Sequence, residues 1–383
     1  LNDNIKAIET AFILDREQRT PTARERLLLE RYCGFGGLKC ILNPARELAD
    51  AVHWAKSDLE LFAPTVELHR LIRENSKNES EYKQLMDSLK QSVLTAFYTP
   101  SAVTEALTDV LKEHQIIPEK VLEPSAGIGA FVDSVLDNNP KADIMAFEKD
   151  LLTGKILRHL HPEQKVRIEG FEKIEKPFND YFDLAISNIP FGDVAVFDPS
   201  YTSMKGMRAL VTRRIHNYFF VKALDTVRDG GLVAFITSQG VLNAKNNSAA
   251  RFMMLYHADL VSAIRLPNNL FTENANTEVG SDLIILQKNT QKESLRGDDN
   301  LLDTVYNDEN RIPTNNYFLE HPERIIHTTA KLDTDPFGKP AMIYTHEDGV
   351  EGIAEDLRKM LHEDFKKNLN LNRYLGIEET KAE

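Results

Sequence analysis

Seven short apolar runs, each of strand length, constrain this chain more than any other feature. They are Val121–Glu123, Asp143–Glu148, Val166–Ile168, Phe182–Ile186, Leu232–Ser238, Leu260–Leu266 and Asp282–Gln287. Most are bounded by Gly, Pro or charged residues, and helix-compatible stretches lie between the early ones. Alternation of that kind predicts an α/β sheet whose ligands collect at the strands' C-terminal ends. The last two runs, with Phe271 in the loop between them, suit a closing hairpin at one edge.

Three of those strand ends carry chemistry. Phe182–Ile186 runs into Ser187-Asn188-Ile189-Pro190-Phe191-Gly192. Pro190 and Gly192 stop the strand, because Pro lacks a ladder donor and Gly favours a turn. The result is an amide (Asn188), a backbone carbonyl from Ile189 or Pro190, and an aromatic face (Phe191) side by side. Two acceptors and a stacking face suit a flat, amino-bearing base. An ordinary strand exit would use the same residues. Val121-Leu122-Glu123-Pro124-Ser125-Ala126-Gly127-Ile128-Gly129 joins an acid to Gly-x-Gly ahead of a helix. Glycine there allows close approach of backbone to a ligand, and Glu123 suits an amino group or a sulfonium better than a pyrophosphate. Glu148 ends the next strand about 20 residues after Gly127, the offset at which Rossmann-like folds bind ribose hydroxyls. Phe171 and Glu172 follow the third run, either flanking an adenine or packing in a loop.

Residues 1–92 read as a helical accessory region, with a helix start at Thr20-Pro21-Thr22 and an amphipathic hairpin between Lys56 and Lys90. Within it, Cys33-Gly34-Phe35-Gly36-Gly37 marks a tight turn; with no Gly-Lys-Ser/Thr it is not a P-loop, and a phosphate cradle is the other possibility. Residues 93–290 hold the seven runs and read as the main domain. Residues 291–383 form a C-terminal extension with one helix, Val350 to Leu371, as a DNA-contacting or linker region. The net charge of −13 opposes nucleic-acid binding overall. The acid-free stretch Pro199–Leu224, however, holds Lys205, Arg208, Arg213, Arg214 and Lys222, either as a local phosphate-contacting patch or as a solvated loop. Cys33 and Cys40 are the only cysteines, which fits a reducing cytoplasm. No run of about 18 apolar residues is present, so no membrane span is expected. Neither a signal-peptide pattern nor an initial Met is present, which is compatible with a fragment. No Cys/His cluster has zinc spacing, and no metal is expected.

Taken in order, Tyr98-Thr99-Pro100, Glu123-Pro-Ser-Ala-Gly-x-Gly, Glu148 and Asn188-Ile-Pro-Phe-Gly resemble the N6-adenine DNA methyltransferases, which use S-adenosyl-L-methionine. The resemblance covers roughly Leu94 to Lys288. The flanks Tyr32–Leu38 and Asn316–Glu323 are similar to the methylase portion of methylase–helicase fusion proteins of bacterial mobile elements. The resemblance implies a Rossmann-like, mostly parallel seven-stranded sheet with one antiparallel strand and helices on both faces. It implies a site-specific adenine DNA methyltransferase acting by base flipping and direct attack in the cytoplasm. Tyr98, Thr99, Pro100, Glu123, Pro124, Ser125, Ala126, Gly127, Gly129, Glu148, Phe171, Glu172 and Asn188 would hold the cofactor. Asn188, Ile189, Pro190 and Phe191 would form the catalytic tetrad, whose second position is usually Pro. Lys205, Arg208, Arg213, Arg214 and Phe271 would meet double-stranded DNA, with a helicase region as a partner in the full-length polypeptide. Two alternatives stay open: the same fold acting on RNA or a protein amide, and a catalytically idle DNA-binding module.

Overall fold

The computed structural model describes residues 1–95, 98–204, 206–272, 279–295, 299–306, 311–335 and 338–377. All seven predicted strands form, as β1 (Lys120–Glu123), β2 (Asp143–Phe147), β3 (Lys165–Arg167), β4 (Phe182–Asn188), β5 (Val227–Ser238), β6 (Ala258–Leu266) and β7 (Ser281–Lys288). They join one sheet in the order β3-β2-β1-β4-β5-β7-β6. Only β7 is antiparallel, to both β5 and β6, so the expected closing hairpin is observed. The expected fold class is therefore the one found. Parallel strands covered on both faces must be apolar throughout, which is why they stood out as unbroken runs.

One face carries Val121, Ile144, Leu184, Ile186, Ala234 and Ile285. The helices Ser101–Glu113 and Ala130–Asn138 cover it. The C-terminal helix Gly349–Asn368 completes that layer, burying Ile353, Leu357, Leu361 and Phe365. The chain then turns back over the sheet. Gln287 of β7 donates to the Asn370 carbonyl (2.9 Å) and accepts from its amide (2.9 Å). A Cβ at Gly230 would fall 2.2 Å from the Arg373 carbonyl oxygen, so only glycine admits this crossing. The other face is aromatic: Phe147, Phe171, Phe182, Tyr218, Phe219, Phe220 and Phe235 pack under Ile215–Thr226 and Ser248–His257.

The N-terminal residues are helical, as read. Thr22 caps Ala23–Glu30 in a reciprocal box with Glu25, which satisfies two of the helix's free N-terminal donors. Phe62–Glu74 and Glu79–Thr95 supply the predicted hairpin. Their core encloses Leu152, Ile156 and Leu160 from the helix Leu151–Leu160 that follows β2. The glycine-rich turn is tied down internally. Cys33 N–H donates to Asn4 Oδ1 (2.9 Å), Phe35 N–H to Ser92 Oγ (3.2 Å) and Gly37 N–H to the Val93 carbonyl (3.0 Å). With those amides already committed to protein acceptors, the turn is built for docking and not as a phosphate cradle.

Candidate active site

The sheet order brings the chemistry together. β1 lies between β2 and β4, so Glu123, Glu148 and Asn188 meet along one edge. At Gly127 the backbone turns through φ +55°, which frees its amide to donate to Glu148 Oε2 (2.8 Å). Asp150 N–H donates to the other oxygen, Oε1 (2.8 Å). The Lys149 N–H also approaches this carboxylate, and the acceptor capacity left over is what a ligand hydroxyl would use. A Cβ at Gly127 would lie 2.8 Å from Tyr98 Cε1; the Tyr98 ring rests on the bare glycine and walls the cradle. Ser125 N–H donates to Glu123 Oε1 (3.0 Å), Ala126 N–H to the Phe147 carbonyl (2.8 Å), and Gly129 opens the helix Ala130–Asn138 at φ +91°. Pro100 precedes Ser101–Glu113 as its N-cap.

The cradle is strongly acidic. Burial pushes the Glu123 carboxyl up to about 8, with Glu148 adding to the rise, and Glu148 up to about 7, with Asp150 adding. Burial also raises Asp150. Besides burial, the main influences on the three are hydrogen bonds and neighbouring acids rather than basic side chains. One hydroxyl is also unmet: Thr99 Oγ1 is buried without a partner, whereas the Ser187 hydroxyl lies against the Glu123 carboxyl and favours its ionised form. An unmet buried hydroxyl costs roughly 1–3 kcal/mol. A cationic ligand with polar hydroxyls satisfies both defects, and a sulfonium nucleoside fits this donor and acceptor set.

A pH dependence follows. The native carboxyls titrate above the ordinary glutamate value of 4.5, so folding takes up protons. The stability they contribute is complete below about pH 4.5 and is lost as pH rises through 7 to 8. The thermal midpoint of the ligand-free protein should fall across that window, and Glu123→Gln and Glu148→Gln should each flatten the fall. A midpoint in Glu123→Gln that tracks wild type at every pH would refute the assignment. A cation in the cradle favours the ionised forms, so its affinity should rise over the same window.

Asn188 closes β4, paired with Ile236 of β5 and half-buried. Ile189 is 1% exposed and points into the aromatic layer; its N–H donates to the Ile236 carbonyl (3.0 Å). Proline cannot make that bond. The departure from Pro at this position is thus compensated by a ladder hydrogen bond and by core packing. Pro190 and Phe191 remain half-buried at the turn.

Other site residues lie elsewhere than a binding surface. Phe171 is 1% exposed, with ring centroids 5.8 Å from Phe147 and 5.2 Å from Phe219; it underlies the site as core. Glu172 folds over Gly170, where a Cβ would collide with its carboxylate. Phe271, on the turn Asn268–Phe271, is enclosed in the core layer and presents no open face. The basic stretch is largely neutralised. Arg208 is paired with Asp225 (2.5 and 2.9 Å), Arg214 with Asp193 (2.8 Å), and Lys222 with Asp198 (3.1 Å). Arg213 is exposed, and Lys205 lies outside the described residues. The acids responsible, Asp193, Asp198 and Asp225, sit just outside the acid-free window. Sequence reading missed Asp150, whose cap on Leu151–Leu160 (Oδ1 to Thr153 N, 2.9 Å) holds the residue that braces Glu148. An Asp opening a helical run was the available signal.

The sequence profile described as N-6 DNA Methylase matches residues 80–383. The chain belongs to the N-6 DNA methylase family. Two curated relatives of this N-6 DNA methylase chain are "Defense against restriction protein B" of Escherichia phage P1 and "Type II methyltransferase M.XamI" of Xanthomonas campestris pv. amaranthicola. The first is 29% identical over 51% of this chain and 8% of the relative, the second 24% over 42% and 33%. The chain thus matches a third or less of either relative's length. A crystal structure described as a class I S-adenosylmethionine-dependent methyltransferase from Listeria monocytogenes has 16% identity and a TM-score of 0.45, over 77% of this chain and 90% of that one. Among the described residues no helix is long and apolar enough to cross a membrane.

Proposed function

We propose that this N-6 DNA methylase chain transfers a methyl group from S-adenosylmethionine to the N6 amine of adenine in double-stranded DNA. The observation that carries the reading is the adjacency, on β1, β2 and β4, of a buried acidic cradle and the Asn188–Phe191 turn. Glu148 and the Gly127 loop would hold the ribose and methionine parts, with Tyr98, Thr99 and Pro100 along one side. When bound, the cofactor supplies an electrophilic methyl on its sulfonium.

The protein's own task is to present the amine. The adenine leaves the duplex stack at a cost of a few kcal/mol. Asn188 Oδ1 and a main-chain carbonyl of Ile189 or Pro190 accept its two N–H bonds. Both acceptors draw the amine toward a tetrahedral shape and localise its lone pair. Phe191 stacks on the ring, and alignment supplies much of the rate. With much of the basic stretch neutralised, Arg213 is the described member best exposed for phosphate contact. The match to a small part of the phage P1 protein supports reading the chain as the methylase portion of a longer polypeptide. A helicase region as its neighbour is proposed on the motif resemblance alone.

Incubation of the chain with radiolabelled S-adenosylmethionine and, separately, duplex DNA, RNA and glutamine-rich protein tests this. Label on DNA, mapped to N6-methyladenine by nucleoside analysis, is expected. Label on RNA or protein alone would replace the reading with one of its alternatives, and no label on any substrate would leave an idle binding module.

A further inference from the structure

Residues 1–79 precede the family match, yet one of them reaches the cofactor cradle. Tyr32 opens the glycine-rich turn, is 1% exposed, and sets its hydroxyl 3.0 Å from Thr153 Oγ1. Thr153 donates its backbone N–H to Asp150 Oδ1 (2.9 Å), and its hydroxyl also helps hold that carboxylate ionised. With the Thr153 proton directed at Asp150, Tyr32 is left to donate to Thr153. Asp150 N–H then donates to Glu148 Oε1 (2.8 Å), and Glu148 Oε2 accepts from Gly127 (2.8 Å). Ser88 approaches the same carboxylate from the N-terminal side, donating to Asp150 Oδ1 (2.6 Å). An unbroken run of hydrogen bonds thus links a turn of the N-terminal region to the loop under the cofactor.

We propose that Tyr32 is a positioning residue for Glu148, so that the N-terminal helical region completes the cofactor site of the catalytic sheet. The inference rests on the reading of Glu148 as the ribose ligand. Tyr32 touches no reacting atom. Its hydroxyl fixes Thr153, Thr153 fixes Asp150, and Asp150 holds one Glu148 oxygen at a set angle. Tyr98 meets the same Thr153 hydroxyl, so removing the Tyr32 phenol proton leaves that hydroxyl held by Tyr98 and Asp150 alone, and the network around Asp150 loosens. Local stiffness of a buried polar network is what such a set of bonds supplies.

The test is titration calorimetry of the full chain with S-adenosylhomocysteine, together with KM values for S-adenosylmethionine and for DNA. Tyr32→Phe keeps the ring and its packing. It should raise the Kd for S-adenosylhomocysteine and the KM for S-adenosylmethionine roughly tenfold, the equivalent of one buried hydrogen bond, and leave the KM for DNA unchanged. Thr153→Val should do the same, and the double variant should be no worse than either single one, because all act through one network. Asp15→Asn is the control for general docking. Asp15 ties the first helix to Lys155 (2.5 Å) and His159 (2.8 Å), remote in the chain of bonds from Glu148, and its loss should lower the thermal midpoint without changing the Kd. Tyr32→Phe binding as tightly as wild type would overturn the inference alone. So would equal weakening by Asp15→Asn. Failure of the wild-type chain to bind S-adenosylhomocysteine at all would overturn the cofactor reading itself, and the inference with it.

Discussion

Asn188→Ala is expected to slow methyl transfer by roughly 10³-fold while the Kd for the cofactor stays within about threefold. The rate loss has the size seen when one preorganised hydrogen-bond partner is removed from a developing charge, on the order of 10²–10³. Asn188 supplies the side-chain acceptor that would draw the amine out of conjugation. Its place at the end of β4, pinned beside Ile236, makes that acceptor rigid. The cofactor term is small because Glu148 and Gly127, which would carry the cradle, are bonded to each other. Asn188→Asp keeps an acceptor oxygen and should retain more activity than the alanine variant. Single-turnover rates at saturating DNA, measured beside calorimetric Kd values, separate the two effects. Wild-type single-turnover rates in Asn188→Ala would remove the turn from the catalytic machinery.

Asp282→Ala is expected to cost about 3–5 kcal/mol of stability. Asp282 on β7 and Arg265 on β6 stand opposite each other, joined at 2.9 and 3.1 Å, with side chains 0% and 3% exposed. Arg265 also donates to Asn243 Oδ1 (3.0 Å) and stacks 4.2 Å above the Phe318 ring. Burial raises the Asp282 carboxyl even beside the guanidinium, so desolvation outweighs attraction for that group. Deleting the aspartate leaves a guanidinium in the core without its counter-charge, and that penalty dominates. Replacing both residues with apolar ones of similar size should cost far less than the single change. Urea denaturation of the single and double variants decides it; equal losses in both would show that packing, not charge, holds the two strands. By contrast, removing the solvent-exposed Lys359–Glu355 pair should leave the urea midpoint essentially unchanged.

Much of the catalytic sheet was open to reading from residues 121–288, because two-sided burial forces continuous apolar runs and because strand ends carry their chemistry locally. Glu148 could be matched to Gly127 from spacing alone, since one helix must fit between neighbouring parallel strands. Charge was harder. Arg208, Arg214 and Lys222 looked like a phosphate patch because the window held no acid, but Asp193, Asp198 and Asp225 lie at or beyond its borders and fold back onto it. Aromatics were harder still. Phe171 and Phe271 sit beside site motifs in sequence, yet their rings point into the two core layers, because burying a phenyl group outweighs proximity to a ligand.

The sequence by itself determined the fold class, the strand bearing each motif, and the acid-glycine-acid and Asn-Ile-Pro-Phe sets, all of which are local patterns of burial and turn chemistry. Only the tertiary structure decided that β1 lies between β2 and β4, so that the two sets share an edge. It decided that Ile189 is anchored through its amide, and that Tyr32, 116 positions before Glu148, is joined to it through Thr153 and Asp150. Those outcomes depend on which distant groups must find partners once water is excluded, and no local pattern records that.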